Sequence, residues 1–171
     1  MKAYLNELSE GVNGFQFVEP AEEFGLQGAE FTCVTPISAR LTVIKTGNTV
    51  LARGLVWTRI LTKCSRCLKD FEEDLSAELD LIFKKRKGQP EEYIELSEED
   101  LKTIEFDAEY IDLREGIRET LLLAFPIKPL CSQGCKGLCP VCGRDLNPGP
   151  CGCQRERIDP RWRSLESLRR S

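Results

Sequence analysis

The chain of 171 residues contains no histidine. That absence removes every Ser-His-Asp and Cys-His catalytic scheme. It also means that a transition-metal site here must lean on thiolate. Long apolar runs are lacking too. The longest is Leu121-Leu122-Leu123-Ala124-Phe125, whereas a membrane-spanning helix needs about twenty apolar residues. The first residues, Met1-Lys2-Ala3-Tyr4-Leu5-Asn6-Glu7, place polar and acidic side chains where a signal peptide needs an apolar stretch. No Gly-rich phosphate loop and no nucleophile elbow occurs. Carboxylates are plentiful, but none sits in a pocket-forming context. The expectation is a non-enzymatic protein of a reducing compartment, the cytoplasm. With 41% hydrophobic and 30% charged residues the chain has enough apolar content for a core and is not of disordered type.

What is abundant is cysteine. Nine are present, and eight fall in two blocks: Cys64 and Cys67, then Cys131, Cys135, Cys139, Cys142, Cys151 and Cys153. In a reducing compartment a disulfide framework is disfavoured, and metal binding reads better. Two thiolates separated by two residues can face one ion while the backbone curls around it, and two such knuckles complete a tetrahedral zinc site. Leu138-Cys139-Pro140-Val141-Cys142-Gly143 is the strongest single signal. Proline stiffens the turn, and glycine after the second cysteine accepts a positive φ, leaving backbone N–H groups free to point at sulfur. Asn147-Pro148-Gly149-Pro150 reads as a turn leading to Cys151-Gly152-Cys153. Cys139, Cys142, Cys151 and Cys153 therefore form one local four-ligand set. Cys64, Cys67, Cys131 and Cys135 are left as a second set, which would clip the C-terminal block onto the main domain. One or two structural Zn²⁺ ions are expected. Cys33 reads as an ordinary buried or half-buried thiol. An iron–sulfur cluster is a weaker reading. The enzymatic rival is a thiol-disulfide or zinc-relay protein using its CxxC pairs. A redox dithiol, however, wants its first cysteine at a helix N-terminus, and Cys64 lies between strand-like segments.

Those segments are Ser38–Lys45, Thr49–Thr62 and Phe71–Lys84, rich in alternating apolar residues. Thr46-Gly47-Asn48 marks a hairpin turn. They read as an antiparallel meander with the Cys64–Cys67 pair at one tip. The first thirty residues alternate only weakly and suit short edge strands. Asp112-Leu113-Arg114-Glu115 is a helix start, with Asp112 as cap and Glu115 able to reach back. Leu113, Ile117, Leu121 and Ala124 follow at helical spacing, on a face that should lie on the sheet. Pro126 should end the helix at Phe125. The fold class expected is α+β: an antiparallel sheet, open or curled into a barrel, with one main packed helix and a C-terminal Cys-rich zinc-knuckle module. Residues 1–127 form the sheet-and-helix domain and 128–171 the knuckle module with a basic tail.

Charge is distributed unevenly. Residues 1–127 carry net −9 and residues 128–171 net +5, within a total of −4. Residues 91–119 hold twelve acids against three bases and read as a solvated face, or as a dock for a basic protein. Lys84, Lys85, Arg86 and Lys87 read as a basic loop. The tail carries Arg161, Trp162, Arg163, Arg169 and Arg170, with Leu165 and Leu168 suiting a short terminal helix. These cations are candidate RNA contacts, since phosphate neutralisation releases counterions. Trp162 could stack on an unpaired base. The plainer alternative is that Trp162 and Leu165 dock the tail while the arginines stay solvated. A zinc-ribbon DNA-binding module is a third reading.

Three segments carry a resemblance. They are Lys63-Cys64-Ser65-Arg66-Cys67-Leu68, then Leu123-Ala124-Phe125-Pro126-Ile127-Lys128-Pro129-Leu130-Cys131, and the run from Cys135 to Asn147 closing with Cys151-Gly152-Cys153 and Asp159-Pro160-Arg161. In order and spacing the chain resembles the bacterial and plastid YceD family, the large-subunit ribosomal RNA accumulation proteins, from about residue 40 onward. Asp145 stands where asparagine would be expected, at a position that is not a proposed ligand. The resemblance implies a role in accumulation or processing of 23S rRNA and hence large-subunit assembly. The implied partners are precursor 23S rRNA or an assembly intermediate, and a small zinc-containing ribosomal protein; no membrane is implied. It supplies no catalytic residue.

Overall fold

The structure is a computed structural model; it describes residues 1–26, 30–86 and 103–153, together with Arg161 and Leu165. Its spine is the expected meander. β4 (Ile37–Thr46), β5 (Thr49–Lys63) and β6 (Asp70–Lys85) pair antiparallel in chain order. The β4–β5 turn is the two residues Gly47-Asn48, and Gly47 takes φ +57°, the left-handed conformation that a tight hairpin requires. β2 (Gly11–Glu19) adds to the free side of β4, and β3 (Phe31–Cys33) pairs with the far end of β5. β1 (Lys2–Tyr4) forms a separate two-stranded ribbon with β8 (Tyr110–Asp112).

Alternation along the strands places one face inward. Val43 of β4, Val50, Val56 and Ile60 of β5, and Leu79 and Phe83 of β6 are all buried. The helix α1 (Arg114–Ala124) covers this face, burying Leu113, Ile117 and Leu121 against β6 and β5. It stops before Phe125, which is extended at ψ 127°, as the following proline demands. The N-cap is Leu113, one residue later than expected and without a side-chain cap; Asp112 lies just outside the helix, where its Oδ1 accepts the Arg114 N–H at 3.0 Å. The same carboxylate grips the Arg114 guanidinium at 2.6 Å, which holds its pKa below the usual carboxylate range.

The structure corrects three expectations. Among the described residues the sheet is open: its order is β2-β4-β5-β6-β7, and the outer strands do not meet to close a barrel. The acidic stretch is not simply a solvated face. Thr103–Phe106 forms β7, which pairs parallel with β6, and Tyr110–Asp112 is β8; residues 91–102 lie outside the described residues. The expected basic loop starts later: Lys84 lies in β6, where the alternation had put it, but Lys85 finishes the strand, and the Lys85 N–H donates to Asn48 O at 2.9 Å. Arg86 follows directly and pairs with Glu105 at 3.0 Å.

β4 and β5 approach closely at Gly54, where a Cβ would stand 2.0 Å from the Arg40 carbonyl oxygen and 2.9 Å from Leu41 Cα. Both are backbone atoms and cannot swing aside. Gly54→Ala is therefore expected to destabilise the fold by about 1–3 kcal/mol, read as a lower denaturant midpoint at unchanged slope.

Candidate metal centres

The reversal between β5 and β6 is made by Cys64-Ser65-Arg66-Cys67-Leu68-Lys69. Its backbone is closed by two hydrogen bonds, Cys64 N–H to Lys69 O at 2.9 Å and Leu68 N–H to Cys64 O at 2.9 Å. The segment Cys139-Pro140-Val141-Cys142-Gly143-Arg144 repeats this pattern. Cys139 N–H donates to Arg144 O at 2.8 Å, and Gly143 N–H to Cys139 O at 2.8 Å. The residue after the second cysteine is left-handed in both, Leu68 at φ +61° and Gly143 at φ +71°. Sequence alone marks the second knuckle through its glycine. In the first, leucine takes the same strained conformation with its side chain 60% exposed.

Each knuckle meets a second pair of cysteines. Cys64, Cys67, Cys131 and Cys135 have their sulfurs within 4.8 Å of one another, and so do Cys139, Cys142, Cys151 and Cys153. In the first group Cys64 Sγ lies 3.7 Å from Cys135 Sγ, and Cys67 Sγ 3.6 Å from Cys131 Sγ. A tetrahedral ion with metal–sulfur bonds of about 2.3 Å spaces its sulfurs about 3.8 Å apart. The donor set therefore fits a thiophilic divalent ion, and each group could hold one.

Electrostatics point the same way. Burial raises the Cys64 thiol, but the backbone N–H groups of Cys131, Cys67 and Arg66 outweigh it and bring its pKa down to about 6. The N–H groups of Cys142 and Val141 bring Cys139 to about 6; the Val141 N–H lies 3.4 Å from its sulfur. The sulfur of Cys67 beside Cys131, and that of Cys142 beside Cys153, push those two thiols up to about 12. Four sulfurs this close resist sharing four negative charges. A bound cation removes that conflict. Cys33 stands apart, half-buried beside Thr58, its pKa raised by burial.

The first group is clamped by residues that spacing did not single out. The Ser65 N–H donates to Pro129 O, and Arg66 Nη1 donates to Cys135 O, both at 2.9 Å. A Cβ on Gly137, at φ +72°, would lie 3.0 Å from Arg66 O, so the two segments touch backbone to backbone. Asn147 reaches back from beyond the second knuckle. Its Oδ1 accepts the Lys136 N–H at 2.9 Å, and its Nδ2 donates to Asp145 Oδ1 at 2.6 Å and to Cys135 Sγ at 3.6 Å. Asp145 also pairs with Lys69 at 2.5 Å, which lowers the pKa of its carboxyl. The residue set aside as a non-ligand thus ties the second knuckle to the first. The Asp145-x-Asn147 spacing, an Asx-turn signature, was the available signal.

The basic candidates are less gathered. Lys84, Lys85 and Arg86 are exposed at the end of β6, and Arg161 is exposed. Lys87, Trp162, Arg163, Arg169 and Arg170, and most of the expected terminal helix, lie outside the described residues. Among the described residues no helix is long and apolar enough to cross a membrane.

Fold and site together define a sheet protein whose long central hairpin carries a thiolate cluster at its tip, with a second thiolate knuckle tied to it. A family model described as "Large ribosomal RNA subunit accumulation protein YceD" matches residues 52–169, and the chain belongs to that family. It is 32% identical to an uncharacterized protein of Mycobacterium tuberculosis over 70% of this chain and 55% of that one. A Mycobacterium bovis protein, also uncharacterized, matches equally. It is 26% identical to the Arabidopsis thaliana "Large ribosomal RNA subunit accumulation protein YCED homolog 1, chloroplastic" over 79% of this chain and 49% of that one. The chain spans about half the length of these curated relatives. No solved structure matches it.

The two knuckles differ in one conformational cost, which yields opposite expectations. Gly143 has open space around its Cβ position, so Gly143→Ala should lose about 1 kcal/mol to the left-handed backbone alone. Leu68→Gly should be neutral or more stable by up to about 1 kcal/mol. Denaturant unfolding of the two variants beside the parent chain tests the pair.

Proposed function

We propose that this protein is a non-enzymatic factor for accumulation of large-subunit ribosomal RNA, and that two structural zinc ions hold its C-terminal segment as a rigid platform for a precursor of the large subunit. The observation that carries the reading is the pairing of two four-sulfur groups, one of which takes two ligands from the β5–β6 turn and two from the segment beyond the helix. In this reading residues 1–127 are the scaffold and residues 128–171 the platform. Cys64, Cys67, Cys131 and Cys135 hold one ion; Cys139, Cys142, Cys151 and Cys153 hold the other. Zinc suits closed sets of four thiolates with no position left for a substrate, and such ions contribute directly to folding.

The family name supports the ribosomal assignment, and the net +5 of residues 128–171 supports contact with precursor 23S rRNA or an assembly intermediate that contains it. Lys84, Lys85 and Arg86 at the end of β6, and Arg161 with Trp162, Arg163, Arg169 and Arg170 in the tail, are the side chains we assign to phosphate and base contact. The place of action is the cytoplasm. A small zinc-containing ribosomal protein is the protein partner of this reading.

Metal analysis of the reduced protein is expected to return two zinc ions per chain. Stripping them should unfold the C-terminal segment; a metal-free protein that stays ordered there would overturn the structural role. Asn147→Ala should weaken zinc retention in the first group about 10–100-fold against a chelator, because the Cys135 sulfur loses its donor. In cells, depletion should lower 23S rRNA and large-subunit particles together, and crosslinking should recover precursor rRNA on the protein. Unchanged particle profiles after depletion would sink the ribosomal assignment, and reduction of a disulfide substrate by low-pKa thiols would favour the thiol-exchange rival.

A further inference from the structure

The sheet has two unlike edges. β7 is four residues long and ends beside the Arg86–Glu105 ion pair. β2 at the other edge is nine residues long and pairs with β4 along its whole length. Among the described residues no strand lies on its outer side. Natural edge strands are blunted by charge, proline or shortness. β2 carries one charge, Glu19 at its very end; Gly11-Val12-Asn13-Gly14-Phe15-Gln16-Phe17-Val18 contains no charged residue and no proline. Val12 and Val18 are 72% and 62% exposed, although both point out from a paired strand. On the opposite face Phe15 and Phe17 stack with ring centroids 5.6 Å apart and remain only half-buried at the rim of the core. The strand also lies outside the family-matched region, which begins at residue 52. An unprotected row of backbone donors and acceptors with apolar groups on both faces is a template for another strand.

We propose that β2 pairs antiparallel with β2 of a second copy of this chain, so that the two sheets run on as one across a two-fold axis at Phe15. The strand is self-complementary in that register, the one that keeps all nine residues paired. Val12 faces Val18 of the other copy, Phe15 faces its own counterpart, and Phe17 faces Asn13. Glu19, the one charged residue of the strand, faces Gly11. No like charges oppose one another, two exposed valines on each copy gain an apolar neighbour, and the half-buried Phe15 rings are covered. Neutrality over eight residues selects a second copy over a strongly basic or acidic partner strand, because charge gives such a partner no advantage here.

The test is the mass in solution of the zinc-loaded full chain, by sedimentation and light scattering from micromolar to millimolar concentration. The expected species at the upper end has twice the chain mass of 19.4 kDa. Val12→Lys with Val18→Lys sets lysine against lysine across the pair and should give a monomer. Val12→Lys with Val18→Glu sets lysine against glutamate in the same register and should restore the dimer. Circular dichroism and zinc content identical to the parent chain establish that each variant folds. A parent chain that is monomeric throughout, a dimer indifferent to the two lysines, or a folded lysine–glutamate variant that stays monomeric would each overturn the proposal. So would a monomeric chain that accepts a strand of some other protein on β2.

Discussion

The constraint on which the rest of the molecule depends is the crowding of four cysteine sulfurs at the tip of the β5–β6 hairpin. Two come from the turn itself and two from a segment 64 to 71 residues further along the chain at the closest contacts. The turn brings its own pair into place through local hydrogen bonds. The other pair arrives only because the helix closes over the sheet and Pro126 directs the chain out of it. A chelated ion gains most from such long-range closure, because the loop entropy it removes from the unfolded chain is large. The second knuckle is secured through the first: the Lys69–Asp145 pair and the Asn147 side chain tie the two together. The C-terminal segment meets the hairpin tip through a small cluster of its own, Cys135 with Leu130 and Leu138 against Cys64, Cys67 and Phe71.

The sheet serves as a long arm for this arrangement. β5 and β6 remain paired over fifteen residues, which holds the knuckle at a fixed distance from the helix-covered core. Inside, the hairpin is stiffened by buried valine, leucine and isoleucine. Outside, Arg53–Asp80, Arg59–Asp74 and Lys63–Asp70 stand opposite one another across the strands. Those exposed pairs add little stability individually. They set a basic row on β5 against an acidic row on β6, each cation directly opposite a carboxylate. The same logic is absent from β2, whose outward row is neutral, and that difference separates the guarded centre of the sheet from its unguarded edge.

Much of this was legible before any coordinates. Alternation located β4, β5 and β6 to within a residue or two, Gly47-Asn48 marked the β4–β5 turn, and Pro126 marked the end of the helix, whose N-cap proved to be Leu113 and not Asp112. Cysteine spacing divided eight thiols into the same two groups that the folded chain gathers. These features are local: each depends on neighbours within a few residues, where periodicity and turn chemistry act. The left-handed Leu68 was not legible, because leucine gives no sign of φ +61° unless the surrounding turn imposes it. Nor was the parallel pairing of β7, since four residues in an acidic stretch carry no alternation strong enough to announce a strand.

By itself the sequence determined the element types along the hairpin, the thiolate character of any metal site and the family to which the chain belongs. These follow from residue identity and short spacing. The tertiary structure alone decided that the described sheet stays open, that Lys85 belongs to a strand, that Asp145 joins two knuckles, and that β2 stands at an edge. Each depends on which surfaces meet after the chain has closed on itself, and the free energy of those meetings is not written in any one segment.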